Sequence, residues 1–317
     1  MKRGLFALLV ASLSTAPLAA QGRLFAVDYV LPQVQEAKSG YSAVELAAPL
    51  GLFGNIYELD PLTGAQINQF DAPVYTTGPE GLAFDGTSLW FVSSPLIEKA
   101  QEGGPLGPAP AALYELDPDS GAVLDADAYP ELVSVDGLGA LNGLIYAMDY
   151  EADVVYIFDP AIDSLVGSID VGAANPLRDF VGGFDGYAAG NLLMATADPL
   201  AGVDGGGPTH LLVFLDPVSG AEVDSFPLDG DFDAGVAALG TTIYTGEYDA
   251  GGGIDLYDLN GTLLDTFAVP YGVSGLAAGG IAPPSVAEVP AISPAGAALL
   301  TLALMAAAVI SLRRRRA

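Results

Sequence analysis

The sequence predicts an all-β fold: a β-propeller of five four-stranded blades, closed by a strand from its N-terminal end, with a C-terminal transmembrane helix beyond it. Three observations predict the propeller. A phrase centred on Asp-Pro recurs along the chain roughly 40 to 60 residues apart, the scale of a repeat architecture. Strands that begin with small residues stand between the recurrences. A lone strand near residue 23 has the character of the one strand that the last repeat lacks.

The phrase reads Ile56-Tyr-Glu-Leu-Asp-Pro-Leu-Thr-Gly64 and Leu113-Tyr-Glu-Leu-Asp-Pro-Asp-Ser-Gly121. It returns as Val155-Tyr-Ile-Phe-Asp-Pro160, Val213-Phe-Leu-Asp-Pro-Val-Ser-Gly220 and Ile254-Asp-Leu-Tyr-Asp-Leu-Asn-Gly261. Each is a short strand, a tight turn and a second strand that ends in an apolar residue such as Phe70, Phe226 or Phe267. Pro presets φ near −65°, Gly supplies φ > 0, and the Asp side chain accepts a turn N–H. The repeated aspartates Asp60, Asp117, Asp159, Asp216 and Asp258 are therefore read as turn formers.

Ahead of the phrases come pairs of strands. The first of each pair is built of small residues (Gly81-Leu-Ala-Phe-Asp-Gly86, Gly137-Leu-Gly-Ala140, Gly235-Val-Ala-Ala238, Gly275-Leu-Ala-Ala278). The second is aromatic and aliphatic (Leu89-Trp-Phe-Val92, Leu144-Ile-Tyr-Ala147, Thr242-Ile-Tyr-Thr245). Four strands per unit with small residues innermost is the pattern of a propeller blade. The last unit stops on its inner strand, and Arg23-Leu-Phe-Ala-Val-Asp-Tyr29 supplies the missing second strand, which would remove both open edges. Six blades would require further strands within 30–55; an open β-sandwich is the poorer alternative.

Gly78-Pro-Glu-Gly-Leu-Ala-Phe-Asp-Gly86, Leu89-Trp-Phe-Val-Ser-Ser94 and Leu113-Tyr-Glu-Leu-Asp-Pro-Asp-Ser-Gly121 together resemble the opening of plant-type glutamine cyclotransferases, and are similar to YVTN and gluconolactonase-like repeats. The resemblance implies a propeller, five-bladed in the cyclotransferases. Those enzymes carry a glutamate in the second strand where this chain has Val92, so the resemblance does not extend to their activity.

The two ends predict an address. Lys2 and Arg3, the apolar run Leu5–Leu13 and small residues up to Ala20 make residues 1–20 a secretory signal. After the body (21–280) and a short stalk (281–288, with Pro283 and Pro284), segment 289–317 holds Val289, Pro290, Ser293 and Gly296, then an uncharged run over about 295–312, then Arg313, Arg314, Arg315 and Arg316. That run is at the short end of what spans a bilayer, and the arginines favour a cytoplasmic C-terminus. The order box, apolar run and basic tail resembles IPTL-CTERM and PEP-CTERM sorting tails. The resemblance implies export through the inner membrane, tethering in the periplasm or at the cell surface, and sorting machinery that processes the tail, releasing the body or handing it to another envelope layer.

The chain carries 39 acidic and ten basic residues, for a net charge of −29. Between the terminal segments the basic residues are Arg23, Lys38, Lys99 and Arg178. Nucleic acid and anionic lipid need cationic patches and are excluded as ligands. Such a density of charge is relieved by salt or by divalent cations. With no cysteine and one histidine, His210, any metal would be held by oxygen, and Ca²⁺ is the natural candidate.

The long segments 30–55, 95–112 and 199–210 all join second to third strands and would crowd one face, with the Asp-Pro turns on the other. Just before the inner strands, on the loop-rich face, stand Glu80, Asp136, Asp179 and Asp233, with Ser274 in the corresponding place of the last blade. Carboxylates converging there would bind a ligand or Ca²⁺, or act as acid and base on a sugar; the plainer reading is a set of solvated loop acids. Asp229, Asp231 and Asp233 alternate as in a calcium loop, but Ala234 and Gly240 stand where an EF-hand needs Gly and Glu. His210 is read as topping a strand, and Trp90 as packing. The expected function is a module binding a protein or glycan partner without catalysis; the alternative is a Ca²⁺-dependent lactonase- or glycosidase-like hydrolase.

Overall fold

The computed structural model describes residues 22–29, 54–73, 80–93, 111–132, 135–199, 210–228, 233–247 and 253–280. It divides the chain into two compact units, Met1–Ile281 and Ala282–Ala317. The segments predicted from sequence as signal (1–20), stalk (281–288) and sorting tail with its apolar run (289–317) lie outside the described residues. Among the described residues no helix is long and apolar enough to cross a membrane.

Five four-stranded antiparallel sheets make up the first unit. Blade 1 is β4 (Glu80–Phe84), β5 (Leu89–Ser93), β6 (Ala112–Leu116) and β7 (Val123–Ala128). Blade 2 is β8 (Val135–Leu141), β9 (Leu144–Asp149), β10 (Val154–Asp159) and β11 (Ser164–Asp170). A one-turn helix, α1 (Val171–Ala174), leads to blade 3: β12 (Arg178–Tyr187), β13 (Leu192–Pro199), β14 (Leu211–Leu215) and β15 (Glu222–Pro227). Blade 4 is β16 (Asp233–Leu239), β17 (Thr242–Glu247), β18 (Gly253–Tyr257) and β19 (Leu263–Ala268).

The fifth blade is composite, as expected from the two ends. Its inner strand β20 (Gly272–Gly279) pairs with β1 (Arg23–Tyr29), which pairs with β2 (Asn55–Leu59) and then β3 (Gln66–Asp71). Arg23 lies opposite Gly279, and Ala26 opposite Leu276. The inner strands follow one another as β4, β8, β12, β16 and β20, and β20 packs back on β4, so five blades close the ring.

Adjacent blades share a core at each described seam. Phe25, Ile56, Leu82 and Phe91 lie between blades 5 and 1; Trp90, Val92, Leu138 and Phe158 between blades 1 and 2. Met148, Ile169, Phe184 and Leu193 fill the next seam, and Met194, Leu212, Val236 and Tyr257 the one after. Trp90 packs on Phe158, and its Nε1 donates to Asp85 at 2.9 Å.

Each of the five repeated aspartates holds its own turn. Asp60 accepts the amide of Leu62, Asp117 that of Ser120, Asp159 that of Ala161, Asp216 that of Ser219 and Asp258 that of Asn260. Every outer strand then carries a β-bulge where it pairs with the third strand. The extra residue is aliphatic each time: Ile67, Leu124, Val166, Val223 and Leu264. All five are about half exposed. A bulge sharpens the local twist and blunts the free edge of a sheet, so the same device protects each blade's rim.

Candidate functional site

The centre of the molecule is a ring of glycines. Gly81, Gly137, Gly183 and Gly235 occupy one position in successive inner strands, and Gly275 the same position in β20. A side chain at Gly81 would press within 3.0 Å of Leu138 in the next blade, one at Gly137 on Phe184, one at Gly183 on Val236 and one at Gly235 on Leu276. Close approach of neighbouring backbones is what places Gly there, and it draws the inner strands tightly around the axis.

At the end where each inner strand turns into its second strand, the hairpins enclose a cavity of about 190 Å³ lined by all five blades. Its walls are turn residues, among them Asp85, Asn142, Ala188, Gly240 and Gly280. Asp85 is committed to its own turn: its carboxylate accepts from the Thr87 amide and hydroxyl and the Ser88 amide, besides Trp90. Burial pushes its pKa up, but these hydrogen bonds outweigh burial and hold it below the usual value.

Beneath this mouth lies Asp185, only 2% exposed. Its Oδ2 accepts the Ala238 amide at 3.1 Å, and the amides of Gly186 and Ala140 also donate to its carboxyl. Burial raises its pKa well above the ordinary range against the pull of those donors. Ala83, Gly139, Ala237 and Ala277 hold the same place in the other blades. Sequence reasoning passed over Asp185, although it is the one charged residue at that step of the repeat.

The acids predicted for the opposite, loop-rich end divide. Glu80 opens β4, Asp136 is the second residue of β8 and Asp233 opens β16; their side chains lie outside what is described, as do Asp229 and Asp231. Asp179 is exposed at the second position of β12. Register separates them. Glu80 pairs with Ser93 and Asp233 with Glu247, each one rung beyond a ring glycine, while Asp136 falls in the bulge between Val135 and Gly137 and Asp179 pairs with Asp198 farther out. A straight count along the sequence does not see these bulges. Ser274 is fully buried, and its hydroxyl donates to the carbonyls of Val27 and Asp28 at 3.4 and 3.3 Å. These contacts tie β20 to β1 within the composite blade.

Two unforeseen groupings lie at the loop-rich end. Asp179 is opposite Asp198 in the β12–β13 ladder, and Asp198 Oδ1 lies 2.7 Å from His210 Nδ1. His210 does top a strand: its carbonyl accepts the Leu228 amide just before β14. Nearby, burial and then the charges of Asp179, Asp170 and Asp149 raise the pKa of Asp153. In the composite blade, buried Asp28 accepts from the Asn55 amide at 2.7 Å and from the Tyr57 hydroxyl. Tyr57 stacks on Tyr271, with centroids 4.2 Å apart and planes at 8°.

A third cluster lies on the rim. Asp125, Asp127 and Asp163 are exposed, with carboxylate oxygens within 4.8 Å of one another.

Fold and channel thus define the class, a five-bladed β-propeller. No protein-family model and no curated protein matches the sequence. Among solved structures the chain is similar to one in a nidogen/laminin complex, at 13% identity and a TM-score of 0.46, covering 83% of this chain and 99% of that one. It is similar to BamB from Moraxella catarrhalis at 16% identity and a TM-score of 0.31, covering 70% and 60%. It is also similar to the Myxococcus xanthus glutaminyl cyclase at 12% identity and 0.37, covering 62% and 73%.

Proposed function

We propose that the protein is an exported propeller, tethered to the membrane or sorted to the cell surface, that binds a protein or glycan partner without catalysis of its own. The observation that carries the binding reading is the mouth cavity to which all five blades contribute turns. Its wall is backbone and small side chains, and the carboxylate in it, Asp85, is occupied by its own turn. Such a wall offers hydrogen bonds and shape to a partner.

The delivery reading rests on sequence: Lys2 and Arg3 ahead of an apolar run at one end, Val289, Pro290, Ser293 and Gly296 ahead of an apolar run and Arg313–Arg316 at the other. In this reading segment 289–317 engages the membrane and the processing machinery. Calcium enters through Asp229, Asp231 and Asp233, whose alternation suits a hard cation. A second reading, a calcium-dependent hydrolase, draws on the Asp149, Asp153, Asp170 and Asp179 corner beside Asp198 and His210.

The test is a calorimetric screen of glycans and peptides, run beside a turnover panel of lactones and glycosides with millimolar calcium. Saturable binding without turnover supports the module; turnover without a ligand overturns it in favour of the hydrolase. Absence of a melting shift at millimolar calcium would remove the cation from the reading. Fractionation of cells expressing the chain with and without 289–317 tests the tether, which fails if both partition alike.

A further inference from the structure

We propose that Asp185 is a proton-operated latch that ties blades 2, 3 and 4 together beneath the channel mouth. The inner strands belong to separate sheets and form no ladder with one another, so their inward amides need other acceptors. Asp185 supplies them across three consecutive strands: Ala140 of β8, Gly186 of its own β12 and Ala238 of β16. All three donors belong to residues that line the mouth cavity. Whatever changes the carboxyl therefore acts on three of the five walls.

The fold does not require an acid here. Four blades are built with Ala83, Gly139, Ala237 and Ala277 at the same step, and Gly139 packs directly against the Asp185 backbone. A carboxyl at 2% exposure bears a desolvation penalty for its charge that a methyl group or hydrogen does not. Amide donors favour the anion, while burial favours the neutral acid. Burial is the larger effect, so the latch is closed with its proton on and strained with it off.

Among the described residues no charged group faces the carboxyl to alter this balance. Arg178 and Asp179 on β12, Asp198 on β13, Asp136 on β8, Asp233 on β16 and Glu80 on β4 all belong to the far ends of their strands. Near its own end, Tyr187 has its pKa raised by burial, and Asp85 across the mouth is held by its turn. Burial and backbone amides are what act on Asp185.

The sign of the linkage follows. The folded state holds the proton more tightly than the unfolded chain, whose aspartate titrates near ~3.9. The latch's contribution is complete below that pH and is lost as pH rises through the folded-state value.

The test is thermal melting of the full-length chain from pH 4 to pH 8, for wild type, Asp185→Ala and Asp185→Asn, with exchange of the Ala140 and Ala238 amides. Ala removes both the charge and the acceptor. It is expected to melt lower than wild type at pH 4 and higher at pH 8, by about 3 °C each way. Asn keeps a neutral acceptor and is expected to flatten the pH dependence. In wild type, but not in the Asp185→Asn variant, protection of the two amides should fall several-fold between pH 4 and pH 8 after correction for intrinsic exchange. A difference between Ala and wild type that keeps one sign and size throughout would overturn the proposal. Should the Ala variant not fold, an Asn variant whose pH profile superimposes on wild type overturns it equally.

Discussion

Asp127, on the outer strand of blade 1, faces Asp163, in the Asp-Pro turn of blade 2, where the other four seams set a glycine against an apolar side chain. Gly121 packs on Phe70, Gly220 on Ile169, Gly261 on Phe226 and Gly64 on Phe267. Register shows the substitution to be double: Asp127 stands opposite Leu113 as Phe70 stands opposite Ile56, and Asp163 adopts φ +48° where the glycines have φ near +70°. Burial and the charges of Asp125 and Asp163 raise the pKa of Asp127. The pair Asp127→Phe with Asp163→Gly restores the repeated contact and should raise unfolding free energy by about 1–3 kcal/mol. Urea denaturation measures this. Added salt should stabilise wild type more than the double variant, because the repulsion removed is between exposed, screenable charges.

The glycines of the channel make a second, sharper test. A Cβ at Gly139 would lie 2.6 Å from the carbonyl carbon of Asp185 and 2.7 Å from its Cα. Backbone atoms of a neighbouring inner strand have no rotamer to escape into, so Gly139→Ala should cost about 3 kcal/mol. Gly143 is the control. Its φ is +77° and a Cβ there meets open space, so Ala costs only the left-handed backbone penalty of about 1–2 kcal/mol. Equal losses in chemical denaturation would contradict the tight-ring account.

Much of this architecture was legible because it repeats. The Asp-Pro-x-x-Gly turn encodes its hydrogen bonds in residue types that suit only such a turn, so the roles of Asp117 and Asp216 follow from sequence. The composite blade was legible because β20 lacked a partner and β1 had none nearby. The channel acids were read with less success. Glu80, Asp136, Asp179 and Asp233 do not share one position: Asp136 falls in a bulge and Asp179 pairs farther out than Glu80 and Asp233, since a bulge adds a residue without any mark in composition. Ser274 looked like a member of that series, yet its hydroxyl is spent on the carbonyls of Val27 and Asp28. Asp185 and the Asp127–Asp163 seam went unread for the opposite reason. Each is a departure from the repeat, and a departure shows only after register fixes which residues correspond.

Acid should weaken the fold through carboxylates that are better held in the folded state. Arg178 donates Nε and Nη2 to the two oxygens of Glu222 at 2.8 and 3.0 Å, and this pairing holds Glu222 below its usual pKa against burial. Turn hydrogen bonds lower Asp117, Asp216 and Asp258 in the same direction. The sign is that of a depressed folded-state pKa: the contribution is present above about pH 4 and lost as pH falls through the folded value. Arg178→Ala should therefore cost about 1 kcal/mol at pH 7, a partly exposed pair being screened. The cost should vanish near pH 2. Melting at the two pH values distinguishes this from a loss of packing, which would persist in acid.

Closure of the ring falls on β1, which pairs with both β20 and β2. Leu24, Phe25, Ala26 and Val27 are fully buried. Phe25 packs on Phe84 of blade 1 with centroids 5.2 Å apart. Arg23 binds Glu58 at 2.7 Å within the blade, and reaches the Asp119 carboxylate and the Pro118 carbonyl of the next turn at 2.9 Å each. Removing 22–29 would strip β20 and β2 of their shared partner and expose two sheet edges together with the apolar seam against blade 1. A chain lacking those residues should lose cooperative unfolding, and a synthetic peptide of the same eight-residue stretch should restore it at micromolar concentration, because strand addition supplies both the ladder and the buried side chains. The same peptide carrying Phe25→Ala should rescue poorly, losing about 3–5 kcal/mol of burial. Rescue equal to that of the native peptide would show that β1 closes the ring through backbone pairing alone.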